Sequence, residues 1–253
     1  MTRSIDLNAD LGEHEGDGTS SDMRILDLVS SASIACGVHS GSAAVMEMTV
    51  QAAMERGVSI GAHPSYPDRE GFGRRDIDMP VDQILESVRD QIISLEQTCA
   101  TNGARLAYVK PHGALYNRAA RDSDLARQLA DLVASINPEL VMLALSGSAL
   151  ESSSRDAGLQ VACEAFIDRA YMSDGTLMPR DRSGAVIDDA SIAGGRAVEM
   201  AKYGKVRSFD GKPVLVTADS LCVHGDSRNA IQILDKVRRR LTEVGFTIAP
   251  FAV

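Results

Sequence analysis

No run of apolar residues in this sequence approaches the ~20 that a bilayer-spanning helix needs; the longest obvious one is Val141–Leu145. A membrane span is therefore not expected. The opening residues, Met1-Thr2-Arg3-Ser4-Ile5-Asp6, have no apolar stretch of the kind a secretory signal carries. Basic surplus is missing too: 26 Lys and Arg stand against 35 Asp and Glu, a net charge of −9. That argues against nucleic acid or anionic lipid as a partner. The four cysteines, Cys36, Cys99, Cys163 and Cys222, contain no CxxC pair. They read as reduced thiols of a cytoplasmic protein rather than a disulfide framework. Neither a GxxxxGK(S/T) P-loop nor a GxGxxG turn is present, so a standard nucleotide-binding fold has no support. No Pro/Gly/Ser-rich linker, composition shift, internal repeat or low-complexity tract divides the chain, and one domain over residues 1–253 is expected.

What remains is ordinary globular material: 253 residues, 44% hydrophobic and 24% charged, enough for one sizeable core. Short β-rich runs fall at 4–9, 31–36, 58–62, 105–110, 140–145, 160–164 and 220–224. Helix-length segments separate them, the pattern of βα units around a parallel sheet. Between residues 81 and 99, Val81, Ile84, Leu85, Val88, Ile92 and Leu95 repeat at helical spacing, with Pro80 at the first turn. Leu125, Leu129, Leu132, Val133 and Ile136 do the same after a cap at Asp122 or Ser123. Ala230, Ile233, Leu234, Val237 and Leu241 form a third such face. The stretch 165–188 breaks the rhythm and reads as an excursion near a barrel mouth, with a turn at Asp174-Gly175. Asp210-Gly211 marks a small hairpin near 206–216.

Parallel α/β folds place their chemistry at the C-terminal ends of strands. Four of the five histidines, His39, His63, His112 and His224, stand at such ends beside Gly or Pro. One of them alone could cap a loop; four converging on one mouth point to a functional cluster. His14 lies in a loop with Glu15, Gly16 and Asp17 and reads as solvated. Asp10 and Glu13 follow the first strand as a carboxylate pair suited to proton transfer or to holding a metal. Asn8 precedes them, and Glu164 and Asp226 end later strands. Lys110 ends a mostly apolar strand. It either faces the mouth as a partly solvated cation for an anionic group or forms an internal ion pair with Glu164 or Asp168. Asp168, Arg169 and Arg180 flank the excursion and suit a carboxylate or phosphate, or a structural ion pair. Arg74 and Arg75, in Gly71-Phe72-Gly73-Arg74-Arg75, form a Gly-rich basic loop of the kind that touches phosphates. Cys36 and Cys222 are near His39 and His224 in sequence; a zinc-thiolate site and two small buried hydrophobes are both open readings.

The strand-end motifs DLNADLGE (6–13), SIACGVHSG (33–41), GAHPSYPD with GFGRR (61–75), VKPHGALYN (109–117), EAFIDRAY with LMPR (164–180) and CVHGD (222–226) closely resemble the LamB/YcsF family, the 5-oxoprolinase A subunits, over essentially the whole chain. The resemblance implies a seven-stranded parallel β/α (TIM-like) barrel of the glycoside hydrolase/deacetylase type. It implies ATP-dependent hydrolytic opening of 5-oxo-L-proline to L-glutamate, with release of ADP and phosphate, together with subunits B and C. Two positions depart from the family pattern. Ser42 stands where an acidic residue usually follows, with Val38 replacing an aromatic, and GESFG is GEHEG here, with His14 and Glu15. Deacetylase kin carry adjacent aspartates on the first strand, whereas Leu11 follows Asp10 here.

On this reading Asp10, Glu13, His63, Lys110 and His112 are the expected catalytic groups. Asn8, His39, Glu164, Asp168, Arg169, Arg180, His224 and Asp226 are expected to bind substrate, and Arg74 and Arg75 phosphate. ATP is the expected cosubstrate, and a divalent metal ion is placed on Asp10, Glu13, His39 and His63. A metal-dependent deacetylase or amidase on the same barrel, or a non-catalytic subunit of the complex, is the alternative. The oligomeric state, a homo-oligomer included, is left open.

Overall fold

The structure, a computed structural model, describes residues 3–14, 18–227 and 229–252. In chain order the elements are β1 (Arg3–Leu11), α1 (Gly18–Leu26), β2 (Ser31–Ala35), α2 (Ala43–Glu55), β3 (Ser59–His63), α3 (Val81–Thr101), β4 (Leu106–Val109), α4 (Gly113–Ala119) and α5 (Ser123–Ile136). There follow β5 (Val141–Leu145), α6 (Ala149–Asp156), β6 (Gln160–Phe166), α7 (Ala190–Tyr203), β7 (Lys205–Arg207), β8 (Pro213–Leu215), β9 (Ser220–Cys222), α8 (Ala230–Glu243) and β10 (Phe246–Ile248). Strands β1 to β6 pair in sequence, all parallel, and β9 closes the ring between β6 and β1, with Asp6 opposite Ser220. The result is a closed seven-stranded parallel barrel with helices around it. β10 adds in parallel to the start of β1. The three periodic faces read from the sequence are three of the helices, α3, α5 and α8, and Asp122 caps α5 by accepting from the Leu125 amide at 3.1 Å.

Alternation along β1 explains both the core and the site. Leu7, Ala9 and Leu11 belong to the main hydrophobic core, while the intervening Asp6, Asn8 and Asp10 join side-chain networks with residues of other strands. The side chains that meet Asp6, Asn8 and Asp10 are polar rather than aliphatic. Asp6 accepts from the Ser30 and Ser31 hydroxyls, both at 2.6 Å, and from Ser220. Asn8 donates to Ser220 Oγ at 2.7 Å and to Glu164 Oε1 at 3.0 Å. A small apolar cluster of Ala107, Tyr108, Val141, Leu143 and Ala162 packs with Phe251 and Ala252. Gly61 makes room for it: a Cβ there would overlap the Tyr108 ring, and the β3–β4 register shifts at this residue.

Between β6 and α7 the chain leaves the barrel. Tyr171 bridges to Leu177 around the Asp174-Gly175 turn, and Arg169 bridges to Val186. Arg196 of α7 ties this segment down by donating to the carbonyls of Ile167 at 3.0 Å and Arg169 at 2.6 Å. β7 and β8 form the small antiparallel hairpin around Asp210-Gly211.

Burial pushes the Asp6 carboxyl up to about 6 despite its three hydroxyl donors, against 3.8 for the free group. The folded chain therefore keeps this proton longer than the unfolded one. The stabilisation is full below about pH 4 and is lost as pH rises through about 6, on the order of 3 kcal/mol. Asp6→Asn is expected to flatten the fall in stability across that interval, measured by urea unfolding at a series of pH values; an unaltered slope would assign it to another group.

Candidate active site

Local structure brings the histidines of three loops together. His63 ends β3, His112 caps α4 and His39 follows β2. The His39 and His112 rings stack at 3.9 Å, and His63 lies edge-on to both. Each ring is fixed by its outer nitrogen. His63 Nδ1 is 2.8 Å from the Lys110 carbonyl, and His112 Nε2 is 2.8 Å from the Phe72 carbonyl. A carbonyl only accepts, so both nitrogens carry the hydrogen. Ser65 donates its hydroxyl to the Tyr66 carbonyl at 3.0 Å and so accepts from His39 Nδ1 at 2.9 Å.

The inner nitrogens are consequently lone pairs in the neutral rings. His63 Nε2 and His112 Nδ1 face each other at 2.9 Å. Two lone pairs at that distance repel unless one ring takes a proton or a cation sits beside both. Carboxylates surround them: Asp10 Oδ2 is 3.5 Å from His63 Nε2, and Glu13 Oε1 is 3.2 Å from His39 Nε2 and 3.6 Å from His112 Nδ1. Donor atoms of Asp10, His63 and His112 converge within 4.8 Å, as do those of Glu13, His39 and His112. The four residues expected to hold a metal are thus divided between two groups, each completed by His112. Outer nitrogens anchored on backbone oxygen are the usual support of metal-binding imidazoles, so the donor set fits a divalent ion.

Burial tunes these groups. It pushes Glu13 up to about 7, reinforced by the Asp10 charge. His39 falls to about 4 chiefly by burial, and His112 drops well below the imidazole range for the same reason, with His39 and His63 adding to it. Burial also opposes the Asp10 charge, but His63 and Lys110 outweigh it and hold the carboxyl well below the usual range.

Lys110 corrects an expectation. It is not a partly solvated cation: its side chain is 2% exposed. Nζ bonds Asp10 Oδ1 at 2.8 Å, pairs with Glu164 Oε1 at 2.7 Å, and lies 3.2 Å from Asn8 Oδ1. Glu164 Oε2 in turn accepts from Tyr116 at 2.7 Å. Of the two internal partners read from the sequence, Glu164 is the one that pairs. Asp168 is taken instead by His224, which donates its amide at 2.9 Å and meets the carboxylate through Nδ1 at 2.9 Å. The His224 ring stacks on Phe166.

The arginines separate as well. Arg74 pairs with Asp226 at 2.6 Å and Arg180 approaches the same carboxylate at 3.6 Å. Arg75, its sequence neighbour, is 60% exposed and pairs with Asp68 and Glu70, so Arg74 and Arg75 do not converge on one anion. Ser42 caps α2 through a 3.4 Å bond from the Val45 amide, so the departure from the family pattern there falls on a helix cap. His14 faces Asp22 at 3.4 Å outside the cluster; Glu15, Gly16 and Asp17 lie outside the described residues. Cys36 and Cys222 are buried free thiols, and neither joins the two ligand groups.

Supporting residues had no sequence signal. Gln91 of α3 grips the Ser65 backbone at both its amide and its carbonyl, each at 2.9 Å, and so places the His39 partner. Phe72, whose carbonyl anchors His112, has φ 55°, a left-handed value uncommon for an aromatic residue and typical of functional loops.

The family model for LamB/YcsF matches residues 5–253. The chain belongs to the LamB/YcsF family. It is 45% identical over 250 residues to a protein of Agrobacterium fabrum named as a 5-oxoprolinase A subunit, covering 98% of each chain. Among solved structures it is similar to the lactam utilization protein of Thermus thermophilus, with a TM-score of 0.90, 41% identity, and 98% and 100% of the two chains covered. A deacetylase solved with its substrate shares the fold, at a TM-score of 0.51 and 14% identity, over 98% of this chain and 88% of the other. No helix among the described residues is long and apolar enough to cross a membrane.

Lys110→Met would leave Asp10 and Glu164 buried without their cation. The expected cost is about 3–5 kcal/mol of stability. Adding Glu164→Gln should recover part of it, because one stranded carboxylate is then neutral. Urea unfolding of the single and double variants measures both; a Lys110→Met chain as stable as the parent would contradict the buried triad.

Proposed function

We propose that this chain is the A subunit of a 5-oxoprolinase, which opens the lactam of 5-oxo-L-proline to L-glutamate at the barrel mouth while ATP is converted to ADP and phosphate. The observation that carries the reading is similarity across nearly the whole chain to proteins named for that role. The family's motifs supply the side chains of the histidine cluster and of the Lys110 and Asp226 networks. Subunits B and C are its companions, the assembly consumes the ATP, and free buried thiols suit the cytoplasm.

The chemistry explains the need for coupling. A five-membered lactam is an unstrained, resonance-stabilised amide, and water opens it slowly. Transfer of the ATP γ-phosphoryl to the amide oxygen creates a leaving group. A first water then adds to the former carbonyl carbon and the C–N bond breaks with a proton passing to nitrogen, which leaves an acyl phosphate; a second water hydrolyses that to the carboxylate and phosphate. His224, oriented by Asp168, is a proton-transfer group of the required kind. Glu13 and Asp10 provide a carboxyl that keeps a proton near neutrality beside one that does not. Lys110 holds Asp10 in place. Asp10, His63 and His112, with Glu13 and His39 adjoining, are the residues that would hold a divalent ion. Such an ion, when bound, polarises a carbonyl or phosphoryl oxygen.

The same cluster also favours a second reading, a metal-dependent amidase or deacetylase that needs no ATP. Reconstitution separates the two. The chain alone is expected to turn over little 5-oxoproline, and addition of subunits B and C to restore it with one ADP released per glutamate. Robust ATP-free turnover by the chain alone would favour the amidase. Metal content is read separately: the purified chain should retain a divalent ion through dialysis, and His112→Ala should lose it, by elemental analysis. Retention undiminished in that variant would remove the ion from this cluster.

A further inference from the structure

The mouth contains a second charged constellation beside the histidines. Arg74, on the loop after β3, and Arg180, on the excursion after β6, both turn their guanidinium groups to Asp226, at 2.6 and 3.6 Å. All three side chains remain 21–32% exposed, within reach of a small molecule. Arg169 lies near them and is 5% exposed. One of its terminal nitrogens donates to the Met178 carbonyl at 2.6 Å, but its Nε is buried without a hydrogen-bond partner. Among the described residues no carboxylate lies within ion-pair distance of it; its sequence neighbour Asp168 is committed to His224 and Ser227. Burial, and then the charges of Arg180 and Arg74, lower the Arg169 guanidinium to about 10, which marks it as a desolvated cation short of negative charge.

The three guanidinium groups thus outnumber the one carboxylate that serves them. Asp226 shows what they accept: a planar carboxylate shared between two forks. We infer that Arg74, Arg169 and Arg180 form the subsite for the free carboxylate of the lactam acid, and that Asp226 is a resident carboxylate which the substrate displaces from Arg180. The inference rests on the lactam reading above and adds to it the part of the substrate that remote binding energy grips. Arg74 also sits next to the ligand cluster, stacked over Phe72, whose ring meets His39 and His112 edge-on. The carboxylate of a bound lactam acid and its ring amide would then meet the arginines and the histidines respectively.

Calorimetric titration tests this without turnover, using the full chain alone and again with subunits B and C present. The probes are 5-oxo-L-proline, 2-pyrrolidinone (the same ring with no carboxylate) and inorganic phosphate. 5-Oxo-L-proline is expected to bind about ten-fold or more tighter than 2-pyrrolidinone. Arg180→Gln should bring the two lactams to within about two-fold of each other, and Asp226→Asn should tighten 5-oxo-L-proline several-fold by removing its competitor. Circular dichroism of both variants confirms folding. Equal affinity of the parent chain for the two lactams overturns the carboxylate subsite and leaves the lactam reading standing. A preference that survives Arg180→Gln, or Asp226→Asn binding no more tightly than the parent, also overturns it. Phosphate binding with no binding of either lactam overturns both, and makes the arginines a phosphate subsite.

Discussion

The buried ammonium of Lys110 is the contact on which the rest of the mouth depends. Asp10 and Glu164 are each almost fully removed from water, and a lone carboxylate in that position would be prohibitively costly. One cation between them makes both tolerable. It also ties three strands across the barrel, β4 to β1 and β6, because the lysine stem is long enough to reach the middle. The same residue works through its backbone, for its carbonyl fixes the His63 ring. Side chain and main chain of one position therefore set both the carboxylate and the imidazole that face each other at 3.5 Å.

Around that tie the loops are held by groups that have no chemistry of their own. The Phe72 carbonyl can reach His112 because the chain bends sharply through Phe72 and Gly73, both at positive φ. Gly73 and Gly113 are packed against one another, and the Ala114 amide bonds the Gly73 carbonyl at 2.9 Å. A Cβ at Gly73 would crowd the His112 and His39 side chains, and one at Gly113 would run into the Gly73 carbonyl. Gln91 reaches in from α3 to hold Ser65, so a helix on the outside of the barrel positions a ring on the inside. Rigidity of this kind costs no reorganisation when charge develops, which is the condition for electrostatic catalysis.

The mouth is electrostatically divided. On one side are three imidazoles with inward lone pairs and two carboxylates; on the other are three guanidinium groups with one carboxylate among them. A ligand with an anionic end and a carbonyl to be activated complements such a division, and a purely neutral one does not. The polar interior extends below the mouth through Asn8, Ser220 and Asp6 to Ser30 and Ser31 at the start of β2, where most barrels carry branched aliphatic layers.

Strand and helix positions were legible because they depend on local signals: short β-rich runs separated by helix-length segments, and the 3.6-residue spacing in α3, α5 and α8 that tells which helix face is buried before any partner is known. The four strand-end histidines were legible for the same reason, since position along a parallel strand decides which end of the barrel a residue occupies. Helices α1, α2, α4, α6 and α7 were less so; α6 is short and α2 is bounded by a serine cap of modest signal. Pairing across the barrel was not legible. Arg74 and Arg75 are adjacent and identical in sequence, yet one meets Asp226 and the other Asp68. Lys110 has Asp10 and Glu164 about 100 and 54 residues away, and His112 shares its inner nitrogen with ligands from two other loops. Sequence by itself determined which residues stand at the mouth, because facing is a local property. Only tertiary structure decided which of them touch, because closure of β9 against β1 sets the distances between strands that are far apart in the chain.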